Sequence, residues 1–198
     1  MGRPRQFDES QVLEAAGEVF WAKGYTATST RDLSERTGLT PSSMYNEFGD
    51  KRGLYLRAFD QYLDRTLRER IARLEASLSP GQAIASFFRE LVDRSLADAQ
   101  HRGCLLVNTA LEATSDDPEL QRLVAGETVM IELFFHRCLV AAQRTGEVPA
   151  DQPAEDLARH LLSVLLGLRV LARVRPDADL LNGLVRPAMA MLGLSWSA

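Results

Sequence analysis

The stretch Thr30–Lys51 reads TRDLSERTGLTPSSMYNEFGDK, and it decides the fold. Its pattern predicts two short helices, the first ending at Gly38 and the second beginning at Pro41. Only the residues GLT separate the two helices. A glycine at this turn can adopt the left-handed conformation that a sharp change of direction requires. This arrangement is typical of a helix-turn-helix, which holds its second helix at a fixed angle for the major groove of DNA.

The second predicted helix presents polar side chains on the face opposite its apolar residues. The apolar positions beneath it are Leu33, Leu39, Met44 and Phe48, and the outward positions are Pro41, Ser42, Ser43, Tyr45, Asn46 and Glu47. Hydroxyl groups suit phosphates or base edges, and an asparagine side chain can form two hydrogen bonds with adenine. Any all-α protein also contains short helix pairs, so this spacing alone leaves both DNA binding and a purely structural role open.

The rest of the chain also predicts helices, because capping signals follow one another and apolar residues recur at helical spacing. The signals bound helices at Asp8–Lys23, Lys51–Ser77, Ser79 onward, Asp117–Gly146, Pro153–Arg173 and Asp177–Gly193. No alternating strand pattern of useful length occurs. We therefore predict an all-α fold of about nine helices. Short helices form an N-terminal three-helix domain over residues 1–50. Longer ones form a larger helical domain over residues 51–198, and the helix from Lys51 connects the two.

Composition describes an ordinary globular chain and argues against DNA binding when it is taken alone. The 198 residues are 45% hydrophobic and 25% charged, with 23 basic against 27 acidic side chains and a net charge of −4. Residues 1–60 carry 8 Lys or Arg and 9 Asp or Glu, so even the N-terminal part is not basic. A strongly basic domain is the usual mark of a nucleic-acid partner. Only the placement of the charges can support that function.

Targeting, membrane and metal signals are weak. The arm MGRPRQ has no apolar segment behind it, so we expect no signal peptide. The most apolar run, Leu161–Ala172, is interrupted by Arg169 and is shorter than the roughly 20 residues that a membrane span needs. Cys104 and Cys138 are the only cysteines and have no metal-ligand spacing. We therefore predict no metal, no cofactor and no membrane partner, and the expected location is a reducing cytoplasm.

The histidines do not form a catalytic pattern. His101, His136 and His160 are isolated from one another, and no GxSxG, P-loop or HExxH motif occurs. A thiol enzyme that used Cys104 would need a histidine base, and His101 lies on the far side of Gly103. We therefore predict that the chain is not an enzyme.

A set of spaced residues resembles the TetR family of bacterial transcriptional repressors. The set comprises Gly24-Tyr25, Thr28, Thr30–Leu33, Gly38–Thr40, Ser43–Tyr45, Phe48 and Lys51. The resemblance covers about residues 8–60, and the rest matches only as a pattern of long helices. It implies a sequence-specific, homodimeric repressor that binds a palindromic operator in double-stranded DNA and responds to an unknown small-molecule inducer. Such a repressor would work in the bacterial cytoplasm, associated with the nucleoid.

Position by position, the resemblance implies a set of DNA-binding residues, namely Arg3, Arg5, Ser29, Thr30, Arg31, Thr40, Pro41, Ser42, Ser43, Tyr45, Asn46 and Lys51. Residues at the start of the first short helix would meet the phosphate backbone, and those on the second would face the groove. Tyr45 and Lys51 would each donate to a phosphate. Arg3 and Arg5 either lie in an adjacent minor groove or belong to a solvated terminus. Glu47 departs from the pattern, because phosphates repel a carboxylate; it either accepts from cytosine or points away.

The resemblance also implies a dimer interface and an inducer pocket in the C-terminal half. Both are predicted from apolar residues at helical spacing, so the alternative in each case is internal packing of a monomer. The predicted interface comprises Leu157, Leu161, Leu165, Leu168, Leu184 and Met189. The predicted pocket comprises Phe88, Leu91, Cys104, Asn108, Met130, Phe134 and Arg137.

Residues 102–112, RGCLLVNTALE, resemble the Gly-Cys-aliphatic…Asn…Glu motif of a TetR subgroup, here Gly-Cys-Leu-Leu-x-Asn. Some members of that subgroup sense oxidants or electrophiles through the cysteine. Two alternatives to a ligand-inducible repressor follow. One is a repressor that uses Cys104 as a redox or electrophile sensor, and the other is an all-helical interaction module without DNA binding. The contrary interpretation makes Cys104 an inert buried residue and lets Asn108 cap or bridge helices.

Overall fold

The computed structural model describes residues 7–114 and 116–196. Its α-helices are α1 Glu9–Lys23, α2 Thr30–Thr37, α3 Pro41–Phe48, α4 Lys51–Leu63, α5 Glu69–Ser77, α6 Pro80–Ala97, α7 Leu105–Glu112, α8 Pro118–Thr145, α9 Ala154–Val174 and α10 Ala178–Met191. A π-helical segment, Asp64–Arg68, joins α4 to α5 without a break, so these elements form the single helix predicted from Lys51 to Ser77. Counted in this way, the described residues form nine helices and no strand, and the predicted all-α class is confirmed.

The chain divides into two compact units. The N-terminal unit ends at Arg68 and the C-terminal unit begins at Glu69, so the boundary falls at the end of the π-helical segment. This structural boundary lies beyond residue 50, because α4 packs against α1 within the N-terminal unit. The division of function between residues 1–50 and 51–198 stays a prediction.

An aromatic core holds the N-terminal unit together. Phe20 of α1 is fully buried and meets the ring of Tyr55 on α4 edge to face, with 4.9 Å between the centroids. Tyr55 lies 6.0 Å from Phe59, one turn further along the same helix. Aromatic pairs of this kind contribute about 0.5–1.5 kcal/mol beyond the burial of their area. Leu33 of α2 is also fully buried, so α1, α2 and α4 form one block on which α3 is mounted.

The junction between α3 and α4 is tight. The Asp50 carboxylate accepts a hydrogen bond from the Gly53 amide at 2.7 Å and so caps α4. A Cβ atom at Gly53 would lie 2.1 Å from the carbonyl oxygen of Phe48, a distance that real Cβ contacts essentially never show. Because the obstructing atom belongs to the backbone, only glycine fits at this position. The close approach of the two backbones at Gly53 therefore fixes the angle between α3 and α4.

Four phenylalanines lie at the core of the C-terminal unit. They are Phe87 and Phe88 of α6 and Phe134 and Phe135 of α8, and all four are fully buried. Phe88 and Phe135 are stacked with 5.6 Å between their centroids, and α8 packs along α9 as well as α6. These four residues, called the phenylalanine cluster below, join the long helices of this unit.

Most of the predicted dimer interface lies inside a single chain. Leu157, Leu161, Leu165 and Leu168 of α9 and Met189 of α10 are at most 4% exposed. These five side chains pack in the core of the C-terminal unit, and their part in a dimer interface stays a prediction. Leu184 is half-buried and keeps surface for a partner. Although α9 carries the longest apolar run, no helix of the described residues is long and apolar enough to cross a membrane.

Candidate nucleic-acid interface

The N-terminal end of α2 is closed by a reciprocal capping box. The Ser29 hydroxyl accepts from the Asp32 amide at 3.2 Å, and the Asp32 carboxylate accepts from the Ser29 amide at 3.0 Å. Lys23 also donates to Asp32 at 2.5 Å. The hydrogen bond from Lys23, followed by those from Ser29, holds the pKa of the Asp32 carboxyl well below its usual range. The Ser29 hydroxyl therefore already has partners within the chain.

The turn between α2 and α3 has the geometry that its sequence predicts. Gly38 adopts φ 72° and ψ 3°, in the left-handed region that favours glycine. Thr40 caps α3 by accepting from the Ser43 amide at 3.2 Å, and Pro41 begins the helix. Met44 is buried beneath α3, so the helix has a defined inner face.

The outer face of α3 is open to solvent. Pro41, Ser42, Ser43, Tyr45 and Asn46 are all exposed, which matches the outward positions predicted for them. Thr40, at the cap, is exposed as well, and its hydroxyl donates to the Ser43 hydroxyl at 3.0 Å. A short, capped helix that carries hydroxyl and amide groups outward is suited to contact base edges in a major groove.

Tyr45 connects the outer face of α3 to the beginning of α2. Its hydroxyl lies 3.2 Å from Thr30 Oγ1, and either group can be the donor. Thr30 is the first residue of α2, where free backbone amides favour an anion. The structure therefore brings together two hydroxyl groups to which the resemblance gives phosphate contacts.

Lys51 ties the start of α4 to the loop that precedes α2. Its Nζ donates to the Thr28 carbonyl oxygen at 2.7 Å and lies 4.5 Å from the centroid of the Tyr25 ring. A lysine ammonium has three N–H donors, so this hydrogen bond leaves donors for a phosphate. The contact spans 23 residues of sequence, and no local pattern indicated it.

The other residues predicted to contact DNA lie in different environments in the free protein. Arg31 is 87% exposed, and its Nε donates to Glu35 at 2.8 Å, a hydrogen bond that raises the pKa of the guanidinium. The other N–H donors of the guanidinium remain for a phosphate. Glu47 is half-buried at the edge of α3. Arg3 and Arg5 lie outside the described residues.

Ion pairs balance the carboxylates of the N-terminal unit away from α3. Glu9 pairs with Arg57, Glu14 with Arg65, Glu18 with Arg36 and Asp32 with Lys23. These residues belong to α1, α2, α4 and the π-helical segment. These ion pairs offset acidic residues outside α3, so the lack of a net positive charge does not by itself argue against DNA binding at this helix.

The predicted pocket residues are brought together only in part. Those that are buried in the C-terminal unit are Phe88, Leu91, Cys104, Asn108 and Phe134. Met130 is half-buried. Arg137 is exposed and donates to Glu75 at 2.9 Å, so its charged group lies at the surface. In the part of the chain that the structure describes, no cluster of His, Cys, Asp and Glu could hold a metal ion.

The Gly-Cys motif forms the entry to α7. Cys104 is the N-cap residue of this helix and is 9% exposed. Asn108 donates from Nδ2 to the Arg102 carbonyl oxygen at 3.0 Å, which ties α7 to the segment before it. Burial raises the pKa of the Cys138 thiol to about 12, so that cysteine stays protonated and unreactive near neutral pH.

Two buried arginines of the C-terminal unit were not among the predicted site residues. Arg70 of α5 is 6% exposed and Arg169 of α9 is 9% exposed. Arginine is almost never buried to this degree unless it is paired. Arg169 had a signal in the sequence, because it interrupts an apolar run. Arg70 had a weaker one, because it stands directly beside the buried Ile71 and four residues before the buried Leu74.

A capped helix that points outward from a three-helix block, after a glycine turn, defines a helix-turn-helix DNA-binding protein. Residues 12–58 match the family described as bacterial regulatory proteins, tetR family, and residues 80–187 match the tetracyclin repressor-like C-terminal domain. The chain belongs to the tetR family and is a transcriptional regulator.

Individual relatives agree over nearly the whole length. The uncharacterized HTH-type transcriptional regulator YezE of Bacillus subtilis (strain 168) is 35% identical over 193 residues, which cover 97% of this chain and 100% of YezE. The HTH-type transcriptional repressor ComR of Escherichia coli (strain K12) is 30% identical, with 87% of this chain and 82% of ComR covered. Among solved structures, a cysteine mutant of the TetR family regulator CifR on 26-bp operator DNA has a TM-score of 0.85 at 32% identity. That match covers 96% of this chain and 100% of the CifR chain.

Proposed function

We propose that this regulator is a ligand-inducible homodimer that represses transcription from a palindromic operator in double-stranded DNA. The observation that carries the proposal is the exposed polar face of α3, mounted on the buried Met44 and Phe48. Two similar proteins support it, since ComR is named a repressor and the CifR mutant was solved on operator DNA. Because an operator lies on the chromosome, the protein would act in the bacterial cytoplasm, at the nucleoid.

Base reading is assigned to α3 and phosphate contacts to the residues around it. Base edges would be read by Pro41, Ser42, Ser43 and Asn46, which are exposed on one helix face. Phosphates would be bound by Ser29, Thr30, Arg31, Thr40, Tyr45 and Lys51, with Arg3 and Arg5 in the minor groove. Phosphate contacts fix the register of a protein on the duplex, and base contacts supply the sequence preference.

The dimer is proposed to form through the faces of α9 and α10 that a single chain leaves open. Val170 and Val174 of α9 and Met191 of α10 are 44%, 65% and 42% exposed, and Leu184 of α10 is half-buried. Gly167 and Gly183 have nothing within 4 Å of an added Cβ, so a partner helix can approach closely at both points. In such a dimer the two copies of α3 must meet successive major grooves, ~34 Å apart.

Induction follows if a ligand in the C-terminal unit binds one conformation better than another, because only such a difference in affinity can shift an equilibrium. The buried Phe88, Leu91 and Phe134 would supply apolar walls. We also place the chain in the Gly-Cys-Leu-Leu-x-Asn subgroup. Within it, Cys104 is assigned a packing role, supported by its burial and by the hydrogen bond from Asn108 to Arg102.

The experiment is a gel shift with DNA from the chain's own promoter, in buffers of low and moderate salt. Arg31→Ala, Tyr45→Phe and Lys51→Ala should each weaken binding by about three- to thirty-fold, and the two that remove a positive charge should also make the salt dependence shallower. Arg122→Ala, which removes an exposed arginine from α8, is the control and should bind as the wild type does. If all three variants bind with unchanged affinity, the proposed function is wrong.

A further inference from the structure

Two guanidinium groups lie in the C-terminal unit without a carboxylate partner. Atoms Nε and Nη1 of Arg70 are buried and have no hydrogen-bond acceptor among the described residues. Arg169 donates from Nη1 to the Ser95 hydroxyl at 3.1 Å, and that hydroxyl is a neutral group. Over residues 69–114 and 116–196, neither arginine forms an ion pair. A guanidinium carries five N–H donors, and the three on Nε and Nη1 of Arg70 find no acceptor among the described residues.

The charges around Arg70 do not compensate for its burial. Glu90 stabilises the positive charge, but both of its carboxylate oxygens already accept from Nη2 of Arg73, at 2.8 and 2.7 Å. Arg169 and Arg94 add further positive charge. Burial, followed by these two arginines, lowers the pKa of Arg70 to about 10, so it remains protonated at neutral pH. The charges that act on Arg70 are therefore mainly positive.

Keeping such groups in a core is unfavourable unless something accepts their hydrogen bonds. An unpaired buried charge loses its hydration without any electrostatic gain in return. The ring of Phe87 lies 4.5 Å from the guanidinium carbon of Arg70 and offsets part of that loss through its π electrons. A ring face beneath the guanidinium does not satisfy the in-plane N–H groups. Their natural acceptor is a planar anion, which guanidinium binds through two parallel hydrogen bonds.

The surroundings of the two arginines add an apolar component. Phe87, which carries Arg70 on its face, lies 5.9 Å from Phe88 and 5.4 Å from Phe134, measured between ring centroids. The phenylalanine cluster therefore continues directly from the charged group. A molecule that satisfied both regions would join an anionic head to a hydrocarbon or aromatic body.

We infer that the C-terminal unit binds an organic carboxylate, whose anionic group accepts hydrogen bonds from Arg70 and Arg169 and whose apolar body packs against the phenylalanine cluster. This inference rests on the proposed function, because it names the chemical class of the inducer. Because Nε and Nη1 of Arg70 and the four rings of the phenylalanine cluster are buried, the helices around them must part to admit the ligand. Binding is in this way coupled to a change of conformation, as induction requires.

The test compares acids with neutral molecules of the same shape by titration calorimetry on the full chain. The probes are phenylacetate with phenylacetamide, and octanoate with octanamide. At least one acid should bind about tenfold or more tightly than its amide, because only the acid offers a charged acceptor to the guanidinium groups. Arg70→Met keeps an unbranched side chain over Phe87 and should reduce the acid to the affinity of the amide. Arg73→Met, an exposed arginine on the same helix, should leave the preference intact.

Several outcomes overturn the inference: equal binding of acid and amide in both pairs, no binding of any of the four probes, or an undiminished preference in Arg70→Met. If Arg70→Met does not fold, Arg169→Gln takes its place and the same results decide. A gel shift on the same preparations separates this inference from the proposed function. If only the inference is wrong, the protein binds its operator but does not prefer the acid to the amide. If only the proposed function is wrong, the protein prefers the acid but does not bind the operator.

Discussion

Arg36 and Arg57 of the N-terminal unit lie at the surface beside carboxylates, whereas Arg70 and Arg169 of the C-terminal unit are buried and form no ion pair among the described residues. Arg36 meets Glu18 and Arg57 meets Glu9, each pair in contact with solvent. Arg70 and Arg169 are more than nine-tenths buried. The two arrangements suit two different functions. A surface that binds one fixed partner gains from groups held in place in advance, whereas buried groups without a partner are those that the proposed ligand would satisfy.

The strongest test makes the same arginine-to-methionine substitution in both units. Arg70→Met should raise the free energy of unfolding by about 1–4 kcal/mol, because it removes a buried charge and leaves its volume filled. Arg57→Met should lower it by at most about 1 kcal/mol, because it removes only a partly exposed ion pair. Urea denaturation measures both. A loss of stability in Arg70→Met would show that its charge is compensated in the fold and would erase the contrast.

The second prediction tests whether the outer face of α3 reads sequence. Asn46→Ala should weaken operator binding by about 1–3 kcal/mol, because a bidentate contact to a base carries that much discrimination. Binding to unrelated DNA should change little, since phosphate contacts are untouched. Fluorescence anisotropy with operator and scrambled duplexes measures the two affinities. Gln82→Ala, an exposed amide of the C-terminal unit, is the matched control. An equal loss on both duplexes would mean that Asn46 does not read bases.

We expect Lys51 to contribute both to the stability of the fold and to DNA binding, and Arg31 to contribute to DNA binding alone. Lys51→Met removes the hydrogen bond to Thr28 and the contact with the Tyr25 ring, so it should lower the free energy of unfolding by about 1–2 kcal/mol. It should weaken DNA binding as well. Arg31→Ala should weaken DNA binding alone, because its side chain is exposed. Thermal unfolding beside a gel shift separates the two effects, and equal stability of the two variants would contradict the structural role of Lys51.

The smallest expected effect is the pH dependence of the capping box. Hydrogen bonds from Lys23 and Ser29 lower the pKa of Asp32 in the folded state. Its contribution to stability is therefore present above the unfolded pKa, near 4, and is lost as the pH falls through the lower folded value. The gap in stability between the wild type and Asp32→Asn should be largest at neutral pH and shrink in acid. A gap that is constant from pH 7 to pH 3 would mean that the carboxylate is not what closes the helix.

Local features of this fold could be predicted from the sequence, because their causes act over a few residues. Gly38 and Pro41 each determine a helix end within one turn of themselves, and both ends lie where the pattern places them. The outward positions of α3 followed from the same spacing, since a rigid eight-residue helix leaves little choice of face.

Features that depend on distant packing could not be predicted. Leu161 and Leu165 fit an interface and a core equally well, because both need apolar side chains at helical spacing. Their burial within a single chain depends on α8, which packs against α9. The burial of Arg70 depends in the same way on helices far along the chain. The hydrogen bond from Lys51 to Thr28 joins residues that no periodic pattern connects.

The residues that orient α3 and the residues that face outward from it are two separate sets. Gly53 and Met44 set the direction of the helix, while Ser42, Ser43 and Asn46 carry its exposed chemistry. Mutation can therefore rewrite the second set and leave the first unchanged. After duplication of its gene, a regulator built in this way can move to a new set of promoters through a few surface substitutions. Its stability, and the signal to which it responds, would pass to the new copy unaltered.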